Sequence, residues 1–270
     1  MKKIVKLSLV AGVLASVSVV PFANAAEVGK VDTEGTVIFK QQGKDSVGEV
    51  IKPDTGEDVI DPEEGGHTTG PLRLTHVPSF DFDVVEINTK TLLQPALMTK
   101  FKDVDDVTGA VSSDSEDIVH FAQVEDVRGI KGDWELKVSA GKFIPGNTVK
   151  NSPLDNSHII FAETQTTNTR IIDATELAAR VTTAGNETAL PNNGNAISLL
   201  KTKAAQHTDV SKTSIVFNSA YTKNNLTGGA VAVDGKLSNP GVKLKAFGTD
   251  EKAIDDTYKA TITWTLESAL

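Results

Sequence analysis

The sequence predicts a mostly β protein: a sandwich-like or barrel-like single domain with one short helix. Short stretches in which apolar and polar residues alternate recur along the chain, the period of a strand with one buried face. Clusters of Gly, Pro and Asn separate them, as turns require. One segment alone carries the signature of a helix start.

Residues 1–25 read as an export leader. Lys2, Lys3 and Lys6 precede an apolar run from Leu7 to Val20, and Ala23-Asn24-Ala25 has the small-x-small form of a cleavage site. The run is too short for a spanning helix. A secreted domain over residues 26–270, soluble once cleaved, is the expectation. Thr36-Val-Ile-Phe-Lys40 reads as its first strand. Residues 41–70 are polar, acidic and turn-rich, and read as a solvated loop or linker within the domain. A cation-binding arm is the alternative reading there.

Leu72–Val77 and Phe80–Ile87 both alternate and read as strands, with Phe80, Phe82 and Val84 on one side of the second. Asp103, Asp105, Asp106, Asp114, Glu116 and Asp117 crowd the next stretch. The EF-hand order fails, because Val107 and Thr108 stand where a ligand and the required glycine belong, so surface acidity is the better reading. Ile118–Glu125 reads as a central strand running into Asp126-Val-Arg128-Gly129. Asp126 and Arg128 share a face, and pairing with each other or with neighbouring backbone is expected; exposed, such a pair contributes about 0–1 kcal/mol.

Asp133-Trp-Glu-Leu-Lys-Val-Ser-Ala140 puts Trp134, Leu136 and Val138 on one face. Beyond it, His158–Ala162, Ser214–Phe217 and Val242–Phe247 read as strands. Ile172-Asp-Ala-Thr-Glu-Leu177 combines an Asp cap, a Glu three residues later and a bracketing apolar pair, which predicts a helix from about Ala174 to Thr183, stopping near Gly185. Asn192–Asn195 and Asn224–Gly229 read as turns. The last stretch, Tyr258–Leu270, alternates throughout, with Tyr258, Ala260, Ile262, Trp264 and Leu266 to one side.

Both tryptophans of the chain thus stand in Trp-x-Leu. One such tripeptide means little. Two of them, the second in Tyr-x-Ala-x-Ile-x-Trp-x-Leu, with Gly70-Pro-Leu-Arg-Leu, Ser79-Phe-Asp-Phe and Val124-Glu-Asp-Val-Arg-Gly129 ahead of the first, resemble the WxL-domain surface proteins of Gram-positive bacteria. The resemblance is strong at both tryptophans and thin over residues 145–240. It implies non-covalent attachment to peptidoglycan and association with companion surface proteins, with Trp134, Leu136, Trp264 and Leu266 as the motif residues. It also implies that the turn after Asp126 braces the Trp134 strand.

Trp is a platform for sugar rings and for partner strands alike. Yet a Trp buries ~150–250 Å², worth ~4–6 kcal/mol as an upper limit, which is comparable with a whole domain's stability. A core role is therefore expected for both.

Loss of the leader removes three lysines and no acid, so 27 basic against 36 acidic residues becomes 24 against 36, a net charge of −12. Such a surface argues against nucleic acid and anionic lipid as partners. It should repel anionic wall polymers, so retention should rise as carboxylates protonate toward ~4 or as salt screens them. There is no cysteine, which excludes thiol chemistry and Cys-bound metals and requires a real hydrophobic core.

Catalytic patterns are weak. Ser139-Ala-Gly-Lys142 has the Ser-x-x-Lys form, and Lys212-Thr-Ser214 faintly resembles Lys-Thr-Gly. That chemistry needs the serine to open a helix, whereas Ser139 ends a strand and Gly141 and Pro145 oppose a helix after it. His67, His76, His120, His158 and His207 lie in separate segments without ligand spacing. The expectation is a non-enzymatic cell-surface protein held on the cell wall, with no cofactor and no metal. The alternative is an adhesin or assembly subunit whose ligand is a host or partner protein, marked by an exposed edge strand near either Trp-x-Leu.

Overall fold

A computed structural model describes residues 6–7, 34–129, 132–208 and 210–269. The chain divides into two units, Met1–Gln41 and Gln42–Leu270. In the first, Lys6–Leu7 pairs antiparallel with Gly35–Thr36. The strand expected over Thr36–Lys40 does not extend further: Val37, Ile38 and Phe39 are 68%, 81% and 89% exposed. Alternation alone makes no sheet where no neighbour supplies the ladder.

The larger unit is sandwich-like, its sheets antiparallel. The sheet holding both tryptophans runs Val181–Thr183, Ile197–Thr202, Asp133–Ala140, Ile262–Ala269. A second runs Gln165–Asn168, Ser211–Val216, Phe121–Asp126, Leu72–His76. A third joins Thr188–Leu190, His158–Phe161, Lys236–Ala246 and Val231–Val233, with Leu92–Leu97 also on Lys236–Ala246. All three feed one core: Trp134, Leu136 and Val138 from the first, Leu74, Val124 and Ile215 from the second, Ile159, Phe161 and Val242 from the third. That core is what a cysteine-free chain needs in place of cross-links.

Alternation explains how Phe121–Asp126 is buried on both faces. Ala122 and Val124 enter the main core, while Phe121 joins a second cluster with Ile60, Phe101, Ile118 and Tyr221. That cluster belongs to a small sheet of Val50–Ile51, Val59–Pro62, Thr99–Asp103 and Glu116–Ile118. The strand expected over Ile118–Glu125 is therefore two strands in two sheets, separated at Val119–His120.

The stretch 41–70, read as a solvated loop or linker, contains two of those strands and is fastened down by side chains of the second sheet. Gln123 exchanges hydrogen bonds with the Ile51 main chain at 2.8 and 3.0 Å, and the Tyr221 hydroxyl donates to the Pro53 carbonyl at 2.7 Å. Arg73, 2% exposed, donates to Glu125 at 2.6 Å and to the Gly70 carbonyl at 2.6 Å. Buried Lys212 lies 3.4 Å from Glu125 and donates to the Glu49 carbonyl; burial lowers its pKa, against the pull of Glu125.

Other expectations are corrected too. Phe80–Ile87 is no strand: Asp83 takes φ 54°, a left-handed conformation that interrupts extended chain, and Val84 is 80% exposed. Among the described residues the one helix spans Ala174–Arg180, capped by Asp173, whose carboxylate accepts from the Glu176 amide at 2.8 Å. It ends three residues early because Val181–Thr183 pairs with Ile197–Thr202. Ile172 is 83% exposed and closes no staple; the neighbouring Ile171 is buried. Glu176 turns to Arg180 at 2.8 Å instead of reaching back to the cap.

Candidate functional site

The strands Asp133–Ala140 and Ile262–Ala269 are direct neighbours. Leu136 faces Leu266, Val138 faces Trp264, and Trp134 faces Ser268. A local two-fold axis through the leucine pair thus relates the two Trp-x-Leu segments, and their apolar residues share one face of the sheet. On the opposite face Lys137 pairs with Glu267 at 2.7 Å and with Glu135 at 3.7 Å; the hydrogen bond that Lys137 donates to Glu267 raises the Lys137 pKa.

The symmetry stops at the surroundings. The Trp134 strand has a neighbour on both sides, and its indole is 2% exposed. Its Nε1 donates to Thr208 Oγ1 at 3.1 Å, and its main-chain N–H donates to Thr202 Oγ1 at 2.9 Å. The Trp264 strand is the edge of the sheet. Trp264 and Leu266 are only half-buried. The core role expected for both tryptophans therefore holds for Trp134 and only in part for Trp264. Its ring lies 6.3 Å from Phe217 and 6.4 Å from Phe80, and no described residue accepts from its indole N–H.

An open groove of about 330 Å³ follows this edge. Ala260, Ile262 and Trp264 form one wall, and Gly65, Gly66 and Val77 to Phe80 the other. Main-chain groups are open there as well. The Gly141 amide donates to the Thr261 carbonyl at 3.0 Å. With the register above, odd-numbered residues of the last strand exchange bonds with the inner strand. Ile262, Trp264, Leu266 and Ser268 therefore turn their N–H and C=O groups outward. The Ser79 hydroxyl and the Trp264 indole N–H are the polar side-chain groups in the lining.

Two buried histidines lie behind Phe80. His120 rests 5.1 Å from the Phe80 ring and accepts from the Asn239 amide at Nδ1, 3.0 Å. The His76 ring lies 4.7 Å from that of Phe121, tilted by 44°, and its Nε2 has no partner among the described residues. Burial pushes the His76 pKa down to about 4; burial, aided by His76, pushes that of His120 down to about 3.

The turn between Asp126 and Asp133 holds the motif strands in place. Asp126 and Arg128, expected as an exposed pair, are 1% and 7% exposed and joined by bonds of 2.9 and 2.7 Å. Arg128 also donates to the Gly132 carbonyl and to Ser268 Oγ, each at 2.7 Å, tying the start of one Trp strand to the end of the other. A Cβ at Gly132 would come within 2.8 Å of the guanidinium.

The patterns read against catalysis lie apart. Lys142 points to Asp155 at 2.6 Å. Asp105 caps its own turn through Val107 and Thr108, and Asp103 pairs with Lys52 at 3.1 Å. Among the described residues, no three His, Asp or Glu side chains are grouped to hold a metal ion.

A family model described as "WxL domain surface cell wall-binding" matches residues 26–269. The chain belongs to the WxL-domain family. The match spans the thin middle section as well as both motifs. No curated protein and no solved structure matches it. The family makes it a surface protein that binds the cell wall. Among the described residues no helix is long and apolar enough to cross a membrane.

Sequence reasoning found Trp264 but not its groove, because Gly65, Phe80 and Trp264 are far apart in the chain. The Ser79-Phe80 segment of the family resemblance was the one available signal.

Proposed function

We propose that this WxL protein is a secreted, non-enzymatic component of the cell surface, held non-covalently on peptidoglycan, whose C-terminal strand is an open docking edge for companion surface proteins. The observation that carries this is the contrast between the enclosed Trp134 and the half-covered Trp264 beside outward-facing main-chain groups. An extended segment laid along that edge would gain main-chain hydrogen bonds and place alternate side chains in the groove. Glycan recognition fits the groove less well. Sugar hydroxyls need several placed polar groups beside an aromatic platform, and the lining side chains supply only the Ser79 hydroxyl and the Trp264 indole N–H. Trp134, Leu136 and Leu266 then act as the frame that presents Trp264.

Co-sedimentation of the folded protein with bare sacculi, alone and with candidate surface proteins, tests this. Trp264→Ser should lose the companion proteins and keep wall retention. If the folded variant loses retention on bare sacculi, the groove belongs to the wall polymer and the docking reading fails. The second reading, an assembly subunit that binds protein in place of the wall, is favoured by the same free edge. It predicts no co-sedimentation with bare sacculi at any salt.

A further inference from the structure

We infer that the occupant of the edge is the same strand of a second copy, laid antiparallel about a two-fold axis at Thr263, so that two chains share one continuous sheet. This rests on the strand-accepting reading above and names its partner. Within one chain the last strand already pairs antiparallel with a near copy of itself, Leu266 against Leu136. Among the described residues no strand lies on its other side. That side runs eight residues, Ile262–Ala269, without a proline. Two other edges are blunted. Val181–Thr183, at the far end of the same sheet, has three residues, and Leu92–Leu97 is interrupted by Pro95.

In this register the strand is complementary to itself. With Thr263 opposite Thr263, Thr261 meets Thr265 and Lys259 meets Glu267, each contact made twice by symmetry. On the other face Ile262 meets Trp264 and Ala260 meets Leu266, beside a groove whose walls carry no charged side chain. The bonding parity agrees. Odd-numbered residues bond to the inner strand, so Ile262 and Trp264 of the two copies exchange main-chain bonds, and the Thr263 pair is a non-hydrogen-bonded one. Lys259 is exposed and has no ion pair among the described residues. The Glu267 side chain, held by Lys137 on its inner side, is still 51% exposed. Lys259–Glu267 carries no net charge in a mature chain at −12, so this is a stretch where two copies can meet without repulsion.

The test is sedimentation velocity on the exported protein over a concentration series, beside cysteine cross-linking, which a chain without cysteine makes clean. A dimer and no larger species is expected, because a symmetric contact closes on itself. Lys259→Glu and Glu267→Lys should each weaken dimerisation about ten-fold. An equimolar mixture of the two should recover the dimer, since each supplies the charge that the other has lost. Thr263→Cys should oxidise to a linked dimer, whereas Thr265→Cys, which faces Thr261 of the second copy, should not. A native chain that stays monomeric overturns the proposal, as does equal linking at both positions. So does a mixture that stays monomeric while both variants keep the native denaturation midpoint; if Glu267→Lys does not fold, the cysteine pair decides. A generic alternating Thr-Val octapeptide separates the two levels. If the native chain is monomeric and the peptide shifts its Trp emission but not that of Trp264→Phe, the docking edge stands and the second copy does not. If the chain is monomeric and the emission does not move, both readings fail.

Discussion

The two Trp-x-Leu segments have the same alternation, face the same way and are related by a local two-fold, yet one is interior and the other open. What separates them is strand position. Trp134 lies on a strand with neighbours on both sides, and Thr202 and Thr208 satisfy its polar groups. Trp264 lies on the outermost strand, with open main chain and a groove beside it. A motif written twice thus has two roles: one copy stabilises the sheet, and its mate is presented at the edge.

Substitution can break that contrast. Trp134→Ala should cost about 3–5 kcal/mol in chemical denaturation, the range for a large buried aromatic. Trp264→Ala should cost about 1–2 kcal/mol, since only part of its surface is covered. Equal losses would mean that both rings are core.

Acid acts next, on the wall of the groove that backs Phe80. His76 and His120 bind protons less readily folded than unfolded, so the unfolded chain takes up more protons below the ordinary histidine pKa of 6.5. Their contribution is complete above about pH 6.5 and is lost as pH falls toward about 4 and about 3. A drop of about 3–5 kcal/mol per histidine over that window is the expected scale. His76→Asn should flatten the decline in denaturation midpoint between pH 6.5 and 4. The expected gain in wall retention as carboxylates protonate must therefore be sought while the fold still holds, and salt is the cleaner lever for co-sedimentation.

Smaller changes sharpen the comparison. Thr208→Val leaves the buried Trp134 N–H unpaired and should cost about 1–3 kcal/mol. Ser268→Ala removes one of the bonds of Arg128 and should cost about 1 kcal/mol, with faster amide exchange at the end of the last strand as its specific mark. Slower exchange there would mean that Arg128 strains that strand.

The sequence read well wherever alternation had a partner. The strand at Asp133–Ala140 is half-buried and buried by turns along its whole length, and the last strand follows its predicted faces from Ile262 onward. Thr36–Lys40 alternates equally well, yet among the described residues its ladder stops at Thr36, because no local signal says whether a neighbour exists. Asp126 and Arg128 read as a surface pair because two residues cannot announce that Ser268 will cross above them. The edge position of Trp264 was least legible: it depends on strand order, which the register between distant segments decides.

The seam that fastens residues 42–62 has a further consequence. Arg73 and Lys212 outnumber Glu125 there, and much of the rest of their bonding goes to the carbonyls of Gly70, Ser46 and Glu49. A carbonyl is common to all amino acids, so these contacts ask for a chain path and not for particular side chains. Gln42 and Gly48 are exceptions: the Gln42 side chain accepts from Arg73 at 2.9 Å, and a methyl group at Gly48 would collide with Glu125, Arg73 and Thr75 at 2.3 to 2.6 Å. What the sheet beneath requires of this layer is thus chiefly the course of its main chain.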